Sequence, residues 1–167
     1  MRCRSRERAF DSAYPLFPYE GAMRSLVSAC KKGGRRSLSI LFAELLAGEI
    51  SGRWPDRVIV PVPPRPGKLR ERGWDQVEEI VRRLELWGFP VSRPLLRRKS
   101  DEQKALGRSE RGVNALKAYA MKPGAQSPAE VLLVDDIVTT CATLEACAAA
   151  LREGGATSVA AIALAAD

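Results

Sequence analysis

Three short apolar runs without polar alternation constrain the fold of this chain more than any other feature. They occupy residues 58–60, 131–134 and 158–164 and are rich in valine, isoleucine, leucine and alanine. Runs of this kind are typical of strands that are covered on both faces. Apolar residues at helical spacing lie between and around them. Strands that alternate with helices predict an α/β fold with a parallel twisted sheet and helices on both faces.

The clearest helical pattern precedes the first of these runs. Its apolar residues are Leu38, Leu41, Phe42, Leu45, Leu46 and Ile50. Their spacing places all six on one face of a helix, which we expect to be buried. Weaker patterns predict helices over 77–84 and 142–152 and two brief strands at 95–96 and 118–121.

The length of the chain bounds its organisation. With 167 residues, of which 46% are apolar, it can bury one sizeable core but not two. We expect one domain over residues 14–167, and we expect residues 1–13, with four arginines, to be disordered or a remnant of an N-terminal segment. No stretch approaches roughly 18 consecutive apolar residues. We therefore expect a cytoplasmic protein without a membrane span.

The sequence contains no histidine, which excludes several classes of catalytic site. Serine and cysteine nucleophiles activated by histidine and HExxH zinc sites are among them. The four cysteines include no CxxC pair, so a structural metal site is not expected. Any chemistry must rest on carboxylates, basic side chains, hydroxyls and backbone amides.

Residues 65–111 carry much of the net charge of +7, with 13 Lys and Arg against 8 Asp and Glu. This stretch includes Arg97, Arg98 and Lys99. Such residues can close over an anionic leaving group or bind a nucleic-acid backbone. They can also form an ordinary solvated face, and the charge pattern alone leaves these alternatives open.

The most informative segment is 131–143, in which an apolar strand leads to two carboxylates, a hydroxyl-rich turn and a helix start. Asp135 and Asp136 are suited to accept hydrogen bonds from vicinal ribose hydroxyls or to hold a cation. Three threonines and the free amides of a helix N-terminus form an anion site. The alternative is that the aspartates end the strand and a threonine caps the helix. As one unit, the segment predicts binding of a ribose 5-phosphate group.

This segment resembles the phosphoribosyl pyrophosphate signature of type I phosphoribosyltransferases. More of the chain resembles one branch of them, the ComF/GntX family (competence protein F). The resemblance rests on four blocks in order, which are Tyr19-Glu20-Gly21 with Lys31, Val60-Pro61-Val62-Pro63 with Arg72-Gly73-Trp74-Asp75-Gln76, Gln103 with Arg111 and Asn114, and the signature itself.

The resemblance implies a phosphoribosyltransferase-like domain and a role for three of the four blocks. Asp135 and Asp136 would hold the ribose hydroxyls, and the turn would hold the 5-phosphate through Thr139, Thr140, Cys141, Ala142 and Thr143. Pro63, Pro64 and Arg65 would form the pyrophosphate loop, and Gln103, Arg108 and Arg111 would belong to a mobile loop. The implied catalytic residues are Asp135, Asp136, Arg72 and Arg111, with Mg²⁺ arriving on phosphoribosyl pyrophosphate.

Three departures from the family pattern bear on function. Family members begin with a cysteine-rich zinc ribbon, of which only Cys3 resembles a remnant. Asp75 replaces an asparagine, and Cys141 replaces the signature glycine. Glycine tolerates a positive φ, so we expect Cys141 to be forced into that conformation beside the phosphate.

Two functions stay open on the sequence. One is an enzyme that transfers the phosphoribosyl group to a nitrogenous acceptor, with pyrophosphate leaving. The other is a non-catalytic phosphoribosyl-binding module that contacts single-stranded DNA during DNA uptake or DNA use. The expected partners are phosphoribosyl pyrophosphate, single-stranded DNA with the competence machinery, and a second copy of the chain in a homodimer.

Overall fold

Ten helices and strands make up the part of the chain that the computed structural model describes, which is residues 8–31, 34–65, 67, 71, 73–98 and 118–167. In chain order they are β1 Ser12–Pro18, α1 Gly21–Lys31, α2 Leu38–Arg53, β2 Val58–Pro61, α3 Gln76–Leu86, β3 Leu95–Arg97, β4 Tyr119–Met121, β5 Glu130–Val138, α4 Ala142–Glu153 and β6 Ser158–Ala166. The three apolar runs are strands, as predicted.

Four of the strands form one parallel sheet in the order β1-β6-β5-β2. Alternate residues of β5 enter two different cores, because successive side chains of a strand point to opposite faces. Leu133 packs with α4, whereas Leu132 packs with α1, α2 and α3. Helices therefore cover both faces, and the predicted α/β fold is confirmed.

β3 and β4 form a separate antiparallel pair. Both brief strands were predicted, but the sequence did not indicate that they pair with each other. In their register, Arg97 lies opposite Tyr119. The pair packs against α4 rather than joining the main sheet.

Packed residues are present before residue 14, the expected start of the domain. β1 begins at Ser12, and Phe10 is buried in the core that α4 shares with the sheet. The Asp11 carboxylate accepts hydrogen bonds from Val159 N at 2.9 Å and from Ser158 Oγ at 2.8 Å. β1 contains Pro15 and Pro18, and it tolerates them because it is an edge strand. Because of these prolines, the sequence pattern did not indicate a strand here.

The buried face of α2 differs from the predicted one. Its buried residues are Ser39, Phe42, Ala43, Leu46 and Ile50, whereas Leu41 is 39% exposed. The periodic pattern includes Leu41, but the sheet and α3 cover only the adjacent face of α2. Leu41 therefore lies at the edge of the covered face. Within the described residues, no helix has both the length and the apolar character needed to cross a membrane.

Candidate functional site

A cavity of about 270 Å³ lies at the carboxyl ends of β2 and β5. These strands are parallel neighbours, with Pro61 opposite Val134, so the segments that follow emerge at the same edge. Ligands of parallel sheets bind at this edge. Six predicted site residues line the cavity, namely Pro63, Pro64, Arg65, Asp135, Asp136 and Thr143. The structure thus brings together two blocks that are about 70 residues apart in sequence.

The other predicted site residues are placed differently. Thr139, Thr140 and Ala142 are exposed, and neither they nor Cys141 line the cavity. Thr139, Thr140 and Cys141 form the turn between β5 and α4, and Ala142 is the first residue of α4, next to Thr143. The predicted residues Arg72, Gln103, Arg108 and Arg111 lie outside the described residues.

Both aspartates lie inside β5, which continues four residues past the predicted end at Val134. β6 pairs with β5 as far as Val138, opposite Ala166, and this long partner extends the strand. The carboxylates are therefore held by the register of the sheet rather than by a loop. Asp136 N donates a hydrogen bond to Asp135 Oδ1 at 2.8 Å, which orients the first carboxylate.

The two carboxylates have different electrostatic environments. Asp136 is 8% exposed, and its Oδ2 lies 2.8 Å from Lys31 Nζ at the end of α1. Burial raises the pKa of Asp135 to about 7, and the negative charges of Asp136 and Asp75 act in the same direction. The Asp136 amide and the Lys31 ammonium oppose this rise. One carboxylate is thus charge-paired, while the raised pKa of its neighbour favours the protonated form more than in an ordinary aspartate, and that neighbour can exchange hydrogen bonds with hydroxyl groups.

Asp75, which replaces the family's asparagine, also lines the cavity. It is the N-cap of α3, where its Oδ1 accepts a hydrogen bond from Glu78 N at 3.1 Å. Asparagine would cap the helix equally well. The substitution therefore leaves the helix start intact and adds a third carboxylate to the cavity.

Besides Asp75, the polar cavity residues Lys31, Arg97 and Tyr119 were not assigned to the site from sequence. Lys31 belongs to the first block of the resemblance, which was the signal that could have indicated it. Arg97 was noted only as part of the basic stretch, and Tyr119 only as part of a strand. Pairing of β3 with β4 brings Arg97 and Tyr119 to the cavity, and no sequence pattern indicates that pairing.

Cys141 has φ 58°, a left-handed conformation at the N-cap position of α4. It is the one non-glycine residue with positive φ among those described. The conformation costs about 1 kcal/mol for a residue with a Cβ atom. The positive φ of Cys141 confirms the expectation from its position in the signature. The cysteine is partly exposed, whereas Cys147, two turns into α4, is fully buried.

We expect Cys141 to be alkylated by iodoacetamide roughly tenfold or more faster than Cys147, because Cys147 must wait for local opening. Burial and the charge of Asp135 also raise the pKa of the Cys147 thiol, which suppresses its reactive thiolate. The rates can be measured by mass spectrometry of digested protein. Phosphoribosyl pyrophosphate with magnesium should slow the reaction of Cys141 alone.

The variant Cys141→Gly provides the second measurement. Glycine has no Cβ penalty at positive φ, so this variant should melt at a higher temperature and bind the ligand more tightly. Cys147→Ser is the comparison, since it alters a buried thiol away from the turn. Equal alkylation of Cys141 with and without saturating ligand, together with unchanged binding by the glycine variant, would contradict a phosphate cradle at this turn.

Comparisons with known proteins agree with the blocks described above. The chain is 33% identical over 144 residues to Competence protein ComFC of Streptococcus pneumoniae, covering 86% of this chain and 63% of that protein. It is 28% identical over 142 residues to Competence protein ComFC of Bacillus subtilis, covering 84% of this chain and 58% of that protein. The chain thus spans about three fifths of the length of these relatives. No family model matches it. Similarity to two ComFC proteins over most of this sequence supports the resemblance of the chain to the ComF family.

Proposed function

We propose that the chain binds phosphoribosyl pyrophosphate with magnesium in this cavity and transfers the phosphoribosyl group to a nitrogenous acceptor. The observation that carries the proposal is the meeting of two segments in one cavity. The Asp135 and Asp136 strand end, with Thr143 beyond it, faces the Pro63–Arg65 loop. A sugar phosphate with a second anionic group matches this arrangement of hydroxyl acceptors and cationic groups.

Asp135 and Asp136 are the residues that would hold the ribose. Each carboxylate oxygen can accept a hydrogen bond, and both carboxylates line the same cavity, where together they could receive the two hydroxyls of a vicinal diol. The raised pKa of Asp135 supports this role, because hydrogen bonds from ribose hydroxyls would stabilise its charged form. Ligand binding and ionisation of Asp135 are then coupled.

The loop after β2 would receive the pyrophosphate. Pro63 and Pro64 restrict the backbone of this loop, since each proline fixes its own φ. Arg65 follows them and lines the cavity, where its guanidinium can form paired hydrogen bonds with phosphate oxygens. A restricted loop with a cation at its end is suited to an anionic leaving group.

Magnesium fits this site as part of the ligand. Across residues 8–31, 34–65, 67, 71, 73–98 and 118–167, no cluster of three or more potential ligand side chains is placed to hold a metal. Magnesium commonly binds through one or two carboxylates together with substrate phosphates and water. Asp135 and Asp136 line the cavity together with Asp75, which also caps α3. Bound with the diphosphate, the ion would neutralise charge on the leaving group.

Catalysis would be mainly electrostatic. As the bond between ribose and pyrophosphate breaks, positive charge develops on the sugar and negative charge on the departing pyrophosphate. Arg65 would stabilise the departing group, and Asp135 and Asp136 would stabilise the sugar. An acceptor nitrogen can supply its own electron pair, so the absence of histidine from the sequence is compatible with this reaction.

The name of these relatives, Competence protein ComFC, favours a second candidate function. In this candidate the chain keeps the phosphoribosyl pocket without turnover and serves DNA uptake, with its basic surface against single-stranded DNA. The exposed Arg98 belongs to that basic stretch. Binding to DNA phosphates would then weaken steeply with salt.

Pyrophosphate release in the presence of a panel of purine and pyrimidine bases tests the proposal. An enzyme should release pyrophosphate with at least one acceptor, and the variant Asp135→Asn with Asp136→Asn should reduce the rate about a hundredfold or more. Asp56→Asn, an exposed turn substitution, is the matched control. If the protein binds phosphoribosyl pyrophosphate but releases no pyrophosphate with any of the bases, the result would favour the non-catalytic binding module. Loss of binding altogether would contradict both candidates.

A further inference from the structure

Arg97 on β3 is held in a defined position by Tyr119 on β4. The two residues are opposite each other in the antiparallel pair. Arg97 Nη1 donates a hydrogen bond to the Tyr119 hydroxyl at 2.7 Å, and the guanidinium carbon lies 5.0 Å from the centre of the tyrosine ring. Both side chains line the cavity. The guanidinium is therefore fixed before any ligand binds.

Tyr119 orients this cation without neutralising it. The tyrosine is 5% exposed, and burial raises its pKa to about 12. Its hydroxyl therefore stays protonated and uncharged at neutral pH. Among the described residues, no carboxylate forms an ion pair with Arg97. A partly buried guanidinium has five N–H donors, so donors remain for an anion in the cavity.

The position of this pair indicates which anion it would meet. β3 and β4 pack against α4, whose first turn carries Thr143. Thr143 lies close enough to the Tyr119 hydroxyl to lower its pKa, against the larger effect of burial. Lys31, by contrast, pairs with Asp136, and Arg65 belongs to the loop after β2. Arg97 is thus on the Thr143 side of the cavity.

We propose that Arg97 binds the 5-phosphate of the ribose ligand jointly with Thr143, and that Tyr119 is its positioning residue. This inference rests on the proposed function and adds to it a phosphate ligand from outside the signature segment. A guanidinium can contact two phosphate oxygens at once, and a fixed one loses little conformational freedom on binding. The threonine turn offers only neutral donors, so Arg97 supplies the full positive charge for that phosphate.

Calorimetric titrations with ribose 5-phosphate, phosphoribosyl pyrophosphate and inorganic pyrophosphate, the last two with magnesium, test the assignment. Arg97→Gln should weaken binding of the first two by about tenfold or more, as expected for lost hydrogen bonds to a charged group. Binding of inorganic pyrophosphate should not change. Arg98→Gln is the matched control, because Arg98 is the adjacent arginine and does not line the cavity. It should bind all three ligands normally.

Tyr119→Phe keeps the ring and removes the hydroxyl that holds Arg97. It should weaken ribose 5-phosphate binding several-fold and leave pyrophosphate binding unchanged, which separates a positioning role from a general packing role. The assignment is overturned if Arg97→Gln binds ribose 5-phosphate normally, or if it loses pyrophosphate binding instead. If the unaltered protein binds none of the three ligands, the proposed function fails with it. If the unaltered protein and Arg97→Gln bind ribose 5-phosphate equally well, the role of Arg97 is overturned and the proposed function is not.

Discussion

Saturating phosphoribosyl pyrophosphate with magnesium should raise the melting temperature of the protein by about 5–10 °C, and replacing both Asp135 and Asp136 with asparagine should remove nearly all of that rise. A ligand at about 100 times its dissociation constant stabilises the native state by about 2.7 kcal/mol. For a chain of this size, each kcal/mol corresponds to roughly 2–4 °C. Asparagine preserves the shape of each side chain and removes the paired acceptors for the ribose hydroxyls.

The double variant should remain folded, which makes the measurement decisive. Asp136→Asn removes the ion pair with Lys31, but Asp135→Asn removes a half-buried carboxylate whose charge is unfavourable. Thermal shifts are compared with each variant's own ligand-free melting temperature, and Asp56→Asn serves as the exposed control. A folded double variant that keeps the full shift would refute the assignment of these carboxylates to the ribose.

The second expectation is that Asp135→Asn alone stabilises the ligand-free protein at pH 8 and has little effect at pH 4. The pKa of Asp135 is raised in the folded state, so folding favours its protonated form. The corresponding stability is present below the ordinary carboxyl pKa and is lost as the pH rises toward about 7. The raised pKa of Asp135 lowers the free energy of unfolding at high pH by up to about 4 kcal/mol, and solvent in the open cavity reduces this loss to roughly 2 kcal/mol.

Chemical denaturation at several pH values measures the difference between the variant and the unaltered protein. That difference should grow between about pH 4 and pH 8, because asparagine cannot ionise. Asp56→Asn should show no such growth, since Asp56 is exposed in a turn. If Asp135→Asn destabilises the protein equally at every pH, the carboxylate is not electrostatically strained in the free protein. If Asp135→Asn is more stable at high pH but binds phosphoribosyl pyrophosphate less well, Asp135 is a functional residue that lowers the stability of the fold.

Much of the main sheet could be predicted from local pattern. Val58–Pro61 and the strands around Leu132 and Ile162 are unalternated apolar runs, and such runs identify strands that are buried on both faces. β1 escaped prediction because Pro15 and Pro18 interrupt its pattern. Its place at the edge of the sheet, next to β6, makes those prolines acceptable. That place is a property of the assembled sheet.

The site divides in the same way. The sequence by itself determined the carboxylate pair and the threonine turn, because these depend on residues adjacent in the chain, and the resemblance to the family pattern indicated the constraint on Cys141. Only the tertiary structure decided that Lys31 pairs with Asp136, that the loop at Arg65 faces the strand end, and that Tyr119 holds Arg97 at the cavity. Such contacts join segments tens of residues apart, and they depend on strand order and on which helix face is covered, neither of which local spacing encodes.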